Sequence, residues 1–476
     1  MAKSAITIET PSGQIQGNSA SKGHNEFLGI RYATAKRFES PVDIESWDGV
    51  LEANQYGSIC PQVPGVLEMM LGFDESTMNE DCLFLNVYAP AEAASDSKLP
   101  VLFWVHGGAF TNGAGSLAWY DGGSLTRRDA VVVTINYRLG AFGFLGDGNF
   151  GTLDMISALR WVHRNISSFG GDPSNVTIFG ESAGGSGVIS LMAAPEAQNF
   201  FHKVWSMSPS IGQLRDQKRA VELEAQFLSI AEVDSREKAT LLSVKEILDA
   251  QTKQMSTESR AFDFFAPTAG GSGLDTDILH SASTSVLPVV VGTNRDENRL
   301  WSAFDPNNAS ATEEIWKKFC VDNFGDQAIA AQKIYESIRP GDSPGQLMSA
   351  VATDTSFRQR AISYSNSRLS HKVPTWMYWF TWASPAFDGA IGCCHALDIP
   401  FAFDNLDSPG TDMFTGAGSD RAAVAERFAN EIVRFATHGH PSWAQYDFVD
   451  RSTLVMGTTA ELVKDPEAEI RQLFQN

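Results

Sequence analysis

The chain has 476 residues, 43% of them hydrophobic, enough to bury a large core and too many for an intrinsically disordered protein. Its formal charge is −21, from 36 basic and 57 acidic side chains. An acidic surface repels nucleic acid and anionic membranes, so neither is expected as a partner.

The opening "MAKSAITIET" lacks the apolar stretch of a signal peptide, and its second half reads as a strand. No run approaches about 18 uninterrupted apolar residues, the length of a membrane span. A cytoplasmic protein is therefore expected. "LFLNVYAP" (83–90), "VLFWVHGG" (101–108) and "AVVVTINYRLG" (130–140) are strands whose lack of alternation predicts burial on both faces. "TLDMISALRWVHRNI" (152–166) has apolar residues three to four apart and reads as a helix. "NVTIFGES" is a strand, "AGGSGVISLMAA" a helix and "KVWSMS" a short strand. Residues 216–254 are helical and charged, "VLPVVVGTNRDE" (286–297) contains a buried strand, and 311–372 are helical. "VPTWMYWFTWA" (373–383) is the last clear strand, followed by a helix over 420–438. Alternating strands and helices predict an α/β fold, a mostly parallel sheet with helices on both faces. With no repeat or linker, a single domain over 1–476 with helical insertions is expected, and a monomer.

Five cysteines are too few for a disulfide scaffold, and no His/Cys cluster has zinc-ligand spacing, so neither metal nor cofactor is expected. Cys320, Cys393 and Cys394 read as small buried apolar residues.

Gly180-Glu181-Ser182-Ala183-Gly184 lies between a strand and a helix. A serine in that setting sits on a sharp turn that lifts its hydroxyl above the sheet, the nucleophile elbow. The five letters alone are weak evidence in a glycine-rich chain; the strand–turn–helix context carries the reading. A serine nucleophile needs a base, and the base an orienting acid, in the chain order Ser, Asp/Glu, His. Of the histidines after Ser182, His395 lies in a loop of small residues between strand and helix, whereas His438 and His440 end a polar helix. A histidine base implies activity rising through about pH 6.5. Either Asp296 or Glu297, at the end of a buried strand, can supply the acid. "WVHGGAF" (104–110) is a glycine-rich turn suited to donating N–H groups to an oxyanion, completed by the N–H of Ala183.

Together with "FLGIRYA", "EDCLFLNVYAP", "ALRWVHRNISSFGGDPSNVTIFGESAGG", "GTNRDENRLW" and "HALDIPFAF", these motifs cover nearly the whole chain. They resemble the type B carboxylesterases, the cholinesterase-like branch of the α/β-hydrolases, and within it the bacterial para-nitrobenzyl esterases. The resemblance implies an α/β-hydrolase fold and a serine carboxylesterase with Ser182 as nucleophile, His395 as base and Glu297 as acid. It places the oxyanion donors at Gly108, Ala109 and Ala183, Glu181 at the pocket floor, and Ser208 behind the triad. The family's first disulfide would join Cys60 and Cys82. Two departures stand out: Asn298 replaces the glycine of the family's Asp-Glu-Gly, and "FAPTAGGSG" (265–273) lacks its Asp-Gly.

Residues 61–81 hold no tryptophan for a choline group, and Phe73 is their only aromatic. Leu67, Met69, Met70, Leu71 and Phe73, Phe110, and Phe262, Phe264 and Phe265 are candidate pocket residues, which predicts small neutral esters with short-to-medium acyl groups as substrates. Glu181 and the acidic surface would disfavour anionic ones. A non-catalytic adhesion-type relative would have lost the nucleophile, which this chain keeps. An amide, lactone or carbonate hydrolase would use the same triad.

Overall fold

Apolar β-branched runs without a polar face need cover on both sides, and the computed structural model of the chain, which describes residues 4–20, 23–71, 73–258 and 262–475, supplies it. The strands are β1 (Ser4–Thr10), β2 (Gly13–Ala20), β3 (His24–Arg31), β4 (Phe84–Pro90), β5 (Leu99–Val105), β6 (Val131–Ile135), β7 (Gly171–Glu181), β8 (Lys203–Met207), β9 (Val289–Asn294), β10 (Thr375–Phe380), β11 (Ser452–Met456) and β12 (Ala460–Lys464). They lie in the order β1-β2-β3-β4-β6-β5-β7-β8-β9-β10-β11-β12, and the short strand Val50–Glu52 beside β2 makes the sheet 13-stranded. From β6 through β11 every pairing is parallel. Apart from Val50–Glu52, which runs parallel to β2, the strands towards both edges pair antiparallel.

Alternate residues of β5 enter opposite cores. Val101, Phe103 and Val105 face α1 (Phe150–Asn165) and α2 (Ala183–Met192). Leu102 and Trp104 face α3 (Arg421–His438), whose Phe428 and Phe435 pack on Trp205 of β8. Each such fully buried aromatic contributes about 1.5–3 kcal/mol. Helices thus cover both faces, as the uninterrupted apolar strands require.

The sheet continues past β10, where the sequence shows its last clear strand. β12 is an edge strand of five residues, largely exposed and carrying Glu461 and Lys464, so its pattern is too polar and too short to read. β2 is similarly masked by its glycines and polar residues. The 265–273 loop, which lacks the Asp-Gly, is held by Asn149, whose side chain bonds both the N–H and the C=O of Thr268.

Register brings the site together. Val105 of β5 is level with Gly180 of β7, Glu181 with Met207 of β8, and Met207 with Gly292 of β9. The loops leaving these four strands therefore converge at one end of the sheet, where open α/β sheets gather functional groups.

Candidate active site

Ser182 joins β7 to α2 with φ 58° and ψ −120°, a conformation costing about 1–3 kcal/mol for a non-glycine residue. Its neighbours hold it there: Ser182 N donates to Met207 O (3.0 Å), while Ser186 N and Ser210 N donate to Ser182 O (3.0 and 3.3 Å). The flanking glycines are needed for close approach. A Cβ on Gly184 would lie 2.0 Å from Val105 O, and one on Gly180 would lie 2.6 Å from the same atom.

The loop after β5 abuts this turn, since a Cβ on Gly107 would stand 3.1 Å from Ser182 Cβ. Buried His106 anchors the loop. Its Nδ1 is 2.8 Å from Gly107 O, its ring stacks on Tyr137, and Tyr137 Oη donates to His106 O (2.8 Å). Burial pushes His106 down to about 4, so it is neutral. The backbone turns at Gly108 (φ 101°) and Ala109 (φ 52°). Among the described residues, the N–H groups of Gly108, Ala109 and Ala183 donate to no protein acceptor, and Gly108 and Ala109 line the same cavity as Ser182.

His395 comes from the loop before a short helix (Ile399–Ala402). Its Nδ1 lies 2.6 Å from Glu297 Oε2, and Glu297 Oε1 accepts from Ser208 Oγ (2.6 Å) and Asn294 N (2.7 Å). Four further bonds seam the two loops: His395 N to Glu297 O (3.1 Å), Asp296 N to Cys393 O (2.9 Å), Cys393 N to Asp296 Oδ2 (3.0 Å) and Asn294 Nδ2 to Cys394 O (2.8 Å). The geometry separates the two carboxylates left open by the strand-end reading. Glu297 meets the imidazole, whereas Asp296 turns away to pair with Arg339, and Arg339 and Arg299 hold it below the usual carboxylate range in spite of its burial. Asn298 donates its N–H to Thr353 Oγ1 (3.0 Å), so the missing glycine leaves the Glu297 loop intact.

His395 Nε2 lies 3.1 Å from Glu181 Oε1, without the alignment of a hydrogen bond. Burial opposes a charged imidazole, but Glu181 and Glu297 outweigh it and push His395 up to about 9, above the ordinary histidine value implied by sequence. Burial likewise pushes Glu181 up to about 8, although His395 opposes it.

These groups share a cavity of about 480 Å³. Leu67 and Leu71 line it as expected, with Phe262 at its exposed rim. The other six candidates do not line it. Phe110 is fully buried against Phe144, because the positive-φ turn at Ala109 and Phe110 sends its ring into the core. Phe264 and Phe265 are also core residues, and Phe73 stands apart from the lining. Met70 packs on the α3 side of the core, and Met69 is exposed. Cys60 and Cys82, the pair implied as a disulfide, are neighbouring buried free thiols.

The carboxylesterase family profile matches residues 4–467. The para-nitrobenzyl esterase of Bacillus subtilis (strain 168) is 34% identical over 98% of this chain and 97% of its own. The fumonisin B1 esterase of Sphingopyxis macrogoltabida is 30% identical over 92% and 82%. A solved Geobacillus stearothermophilus carboxylesterase superposes with a TM-score of 0.85 at 31% identity, covering 98% of this chain and 100% of that one. The chain belongs to the carboxylesterase family. Its fold is the α/β-hydrolase fold, and it is an ester hydrolase.

For this carboxylesterase, sequence reasoning missed the aromatic walls of the site. Trp301 lies 5.0 Å from the His395 ring and Phe357 lies 4.7 Å from it. Trp301 carried a signal, standing one helical turn beyond Glu297. Phe357 carried none, since it is delivered by a π-helical turn (Asp354–Arg358) from a distant helical stretch. Trp119 and Tyr120 also line the cavity, so aromatic faces are present outside the 61–81 segment. No helix among the described residues is long and apolar enough to cross a membrane. No described group of three or more His, Cys, Asp or Glu could hold a metal ion.

Proposed function

We propose that the enzyme cleaves neutral esters with short-to-medium acyl groups through an acyl-enzyme on Ser182. One observation carries the reading: His395, paired with Glu297, lines one cavity with the strained Ser182 turn and with Gly108 and Ala109, whose N–H groups, like that of Ala183, have no acceptor among the described residues. His395 Nε2 takes the Ser182 proton as Oγ attacks the ester carbonyl. The negative oxygen is received by the N–H groups of Gly108, Ala109 and Ala183. A single oxyanion donor is worth about 3–4 kcal/mol where one has been removed elsewhere. Collapse breaks the C–O bond to the alcohol, which leaves with the proton from His395. Water then attacks the acyl-enzyme by the same steps, releasing the acid and restoring the Ser182 hydroxyl. Glu297 keeps Nδ1 protonated and stabilises the imidazolium, and Ser208 and Asn294 fix Glu297. His395 Nε2 makes no hydrogen bond among the described residues, and its bond to Ser182 Oγ is to form as substrate enters, as catalytic hydrogen bonds often tighten only then.

Ser182→Ala should lower kcat by about a millionfold. An organophosphate should label Ser182, identified by peptide mass spectrometry. Labelling at another serine, or an active variant, would refute the site. The cavity volume supports the acyl range. Burial of acyl carbons gains about 0.8 kcal/mol per methylene until the space is filled. Among p-nitrophenyl acetate, butyrate, octanoate and palmitate, kcat/KM should peak at butyrate or octanoate; a maximum at palmitate would overturn this range.

A further inference from the structure

Among the described residues, Arg360 is the only Lys or Arg lining the catalytic cavity, and it forms no ion pair. Its side chain is exposed and makes two contacts. Nε donates to Thr355 O (3.2 Å), and the guanidinium lies across Gly212, where an added Cβ would come within 2.9 Å of Cζ. Only glycine at 212 leaves room for that placement. Both Nη groups are without an acceptor among the described residues.

Two neutral donors line the cavity with it. Ser356 stands one helical turn before Arg360, and its Oγ makes no hydrogen bond within the described protein. Gln213 adjoins Gly212, and its Oε1 is taken by Ser210 Oγ (2.6 Å), which leaves its Nε2 as a free donor. Gly212 also ties this corner to the nucleophile, because it lies two residues after Ser210, whose N–H bonds Ser182 O.

The acidic groups of the cavity do not compensate Arg360. Asp263 is already gripped by Arg219 through Nε (2.9 Å) and Nη2 (3.2 Å). Glu68 is buried, with one oxygen accepting from Asn112 Nδ2 and Gly65 N, and burial raises it above the usual carboxylate range. Glu181 is raised in the same way. Glu297 is matched by His395. A chain of net charge −21 thus presents at its cavity a guanidinium with no ion-pair partner among the described residues.

We propose that Arg360, with Ser356 and Gln213, forms a carboxylate subsite, so that the enzyme also takes hemiesters of linear dicarboxylic acids. The free carboxylate binds at Arg360 while the ester carbonyl lies at Ser182. The planar fork of Arg suits a carboxylate held through two parallel N–H···O bonds. This inference rests on the Ser182 esterase reading. It runs against the sequence expectation that Glu181 and the acidic surface exclude anionic esters, because Asp263 is held by Arg219, Glu181 lies against His395, and no described carboxylate pairs with Arg360.

The test measures kcat/KM by pH-stat for monoethyl esters of linear dicarboxylic acids, from succinate to sebacate. Each is set against the ethyl ester of the monocarboxylic acid of equal length. The hemiester-to-neutral ratio is internal to each variant, so loss of folded enzyme cancels. In the wild type the ratio should peak at the chain length that spans Ser182 to Arg360, and it should fall as salt is raised. Arg360→Gln should lower the peak ratio about tenfold or more, the worth of a charge-assisted hydrogen bond, and Arg360→Lys should recover part of it. A ratio without a peak, or one unchanged in Arg360→Gln, overturns the subsite. Ser182→Ala retaining turnover of the neutral esters would instead overturn the esterase site, so the two failures are distinguishable.

Discussion

Asp296 and Glu297 are adjacent carboxylates at the end of one strand, and the structure assigns them opposite consequences when each is replaced by its amide. Glu297 Oε1 already accepts from a backbone N–H and a serine hydroxyl, and Oε2 accepts from His395 Nδ1. In Glu297→Gln the amide NH2 cannot face the Asn294 N–H, so it must face His395. Nδ1 then becomes the acceptor, Nε2 carries the proton, and the imidazole cannot take the serine proton. A wrong tautomer of this kind costs about 10⁴-fold in kcat. Asp296 touches no reacting atom. Asp296→Asn keeps an acceptor for Cys393 N but loses the charge that pairs with buried Arg339, and breaking a buried pair costs about 3–5 kcal/mol. Unfolding entropy of about 2.1 cal/mol/K per residue amounts to about 1 kcal/mol/K for this chain, so Tm should fall by about 3–5 °C. Because Asp296 is held below its usual range, that stabilisation is present above about pH 4 and is lost as pH falls further. The assay is kcat on p-nitrophenyl butyrate beside a thermal melt for each variant. An active Glu297→Gln, or an Asp296→Asn that keeps its Tm and loses activity a thousandfold, would refute the assignment.

The proposed mechanism requires neutral His395, and two carboxylates raise it to about 9, so the acid limb of kcat/KM should lie well above the ordinary histidine value. Glu181→Gln removes the larger of the two charge interactions and should move that limb down by about one pH unit or more; an unmoved or rising midpoint would contradict the coupling. Ser208→Ala removes a buried hydrogen bond to an ionised acid, worth about 1.5–3 kcal/mol, and should lower kcat about 10- to 100-fold with little change in KM. Steady-state kinetics decide it, and an unchanged kcat would show that Asn294 alone orients Glu297.

What could be read along the chain was whatever local chemistry dictates. The β-branched runs with no polar face had to be central strands, and glycines around a serine between strand and helix had to be a sharp turn. A histidine among small residues and carboxylates at a strand end then stood out as partners. Strand β2 and the edge strand β12 were not legible, because a half-exposed strand needs few apolar residues. Nor was the choice between Asp296 and Glu297 legible from local pattern, since consecutive side chains differ only in which partner three-dimensional neighbours offer. Arg339 and Arg299 claimed one carboxylate, and Ser208 and His395 the other. The cavity was hardest of all. Phe110 is apolar and next to the oxyanion turn, yet a positive-φ backbone drives it into the core, while Phe357 and Arg360 enter from a helix far away in sequence. Which apolar side chains meet substrate depends on backbone direction and on packing between distant elements, and a one-dimensional pattern carries neither.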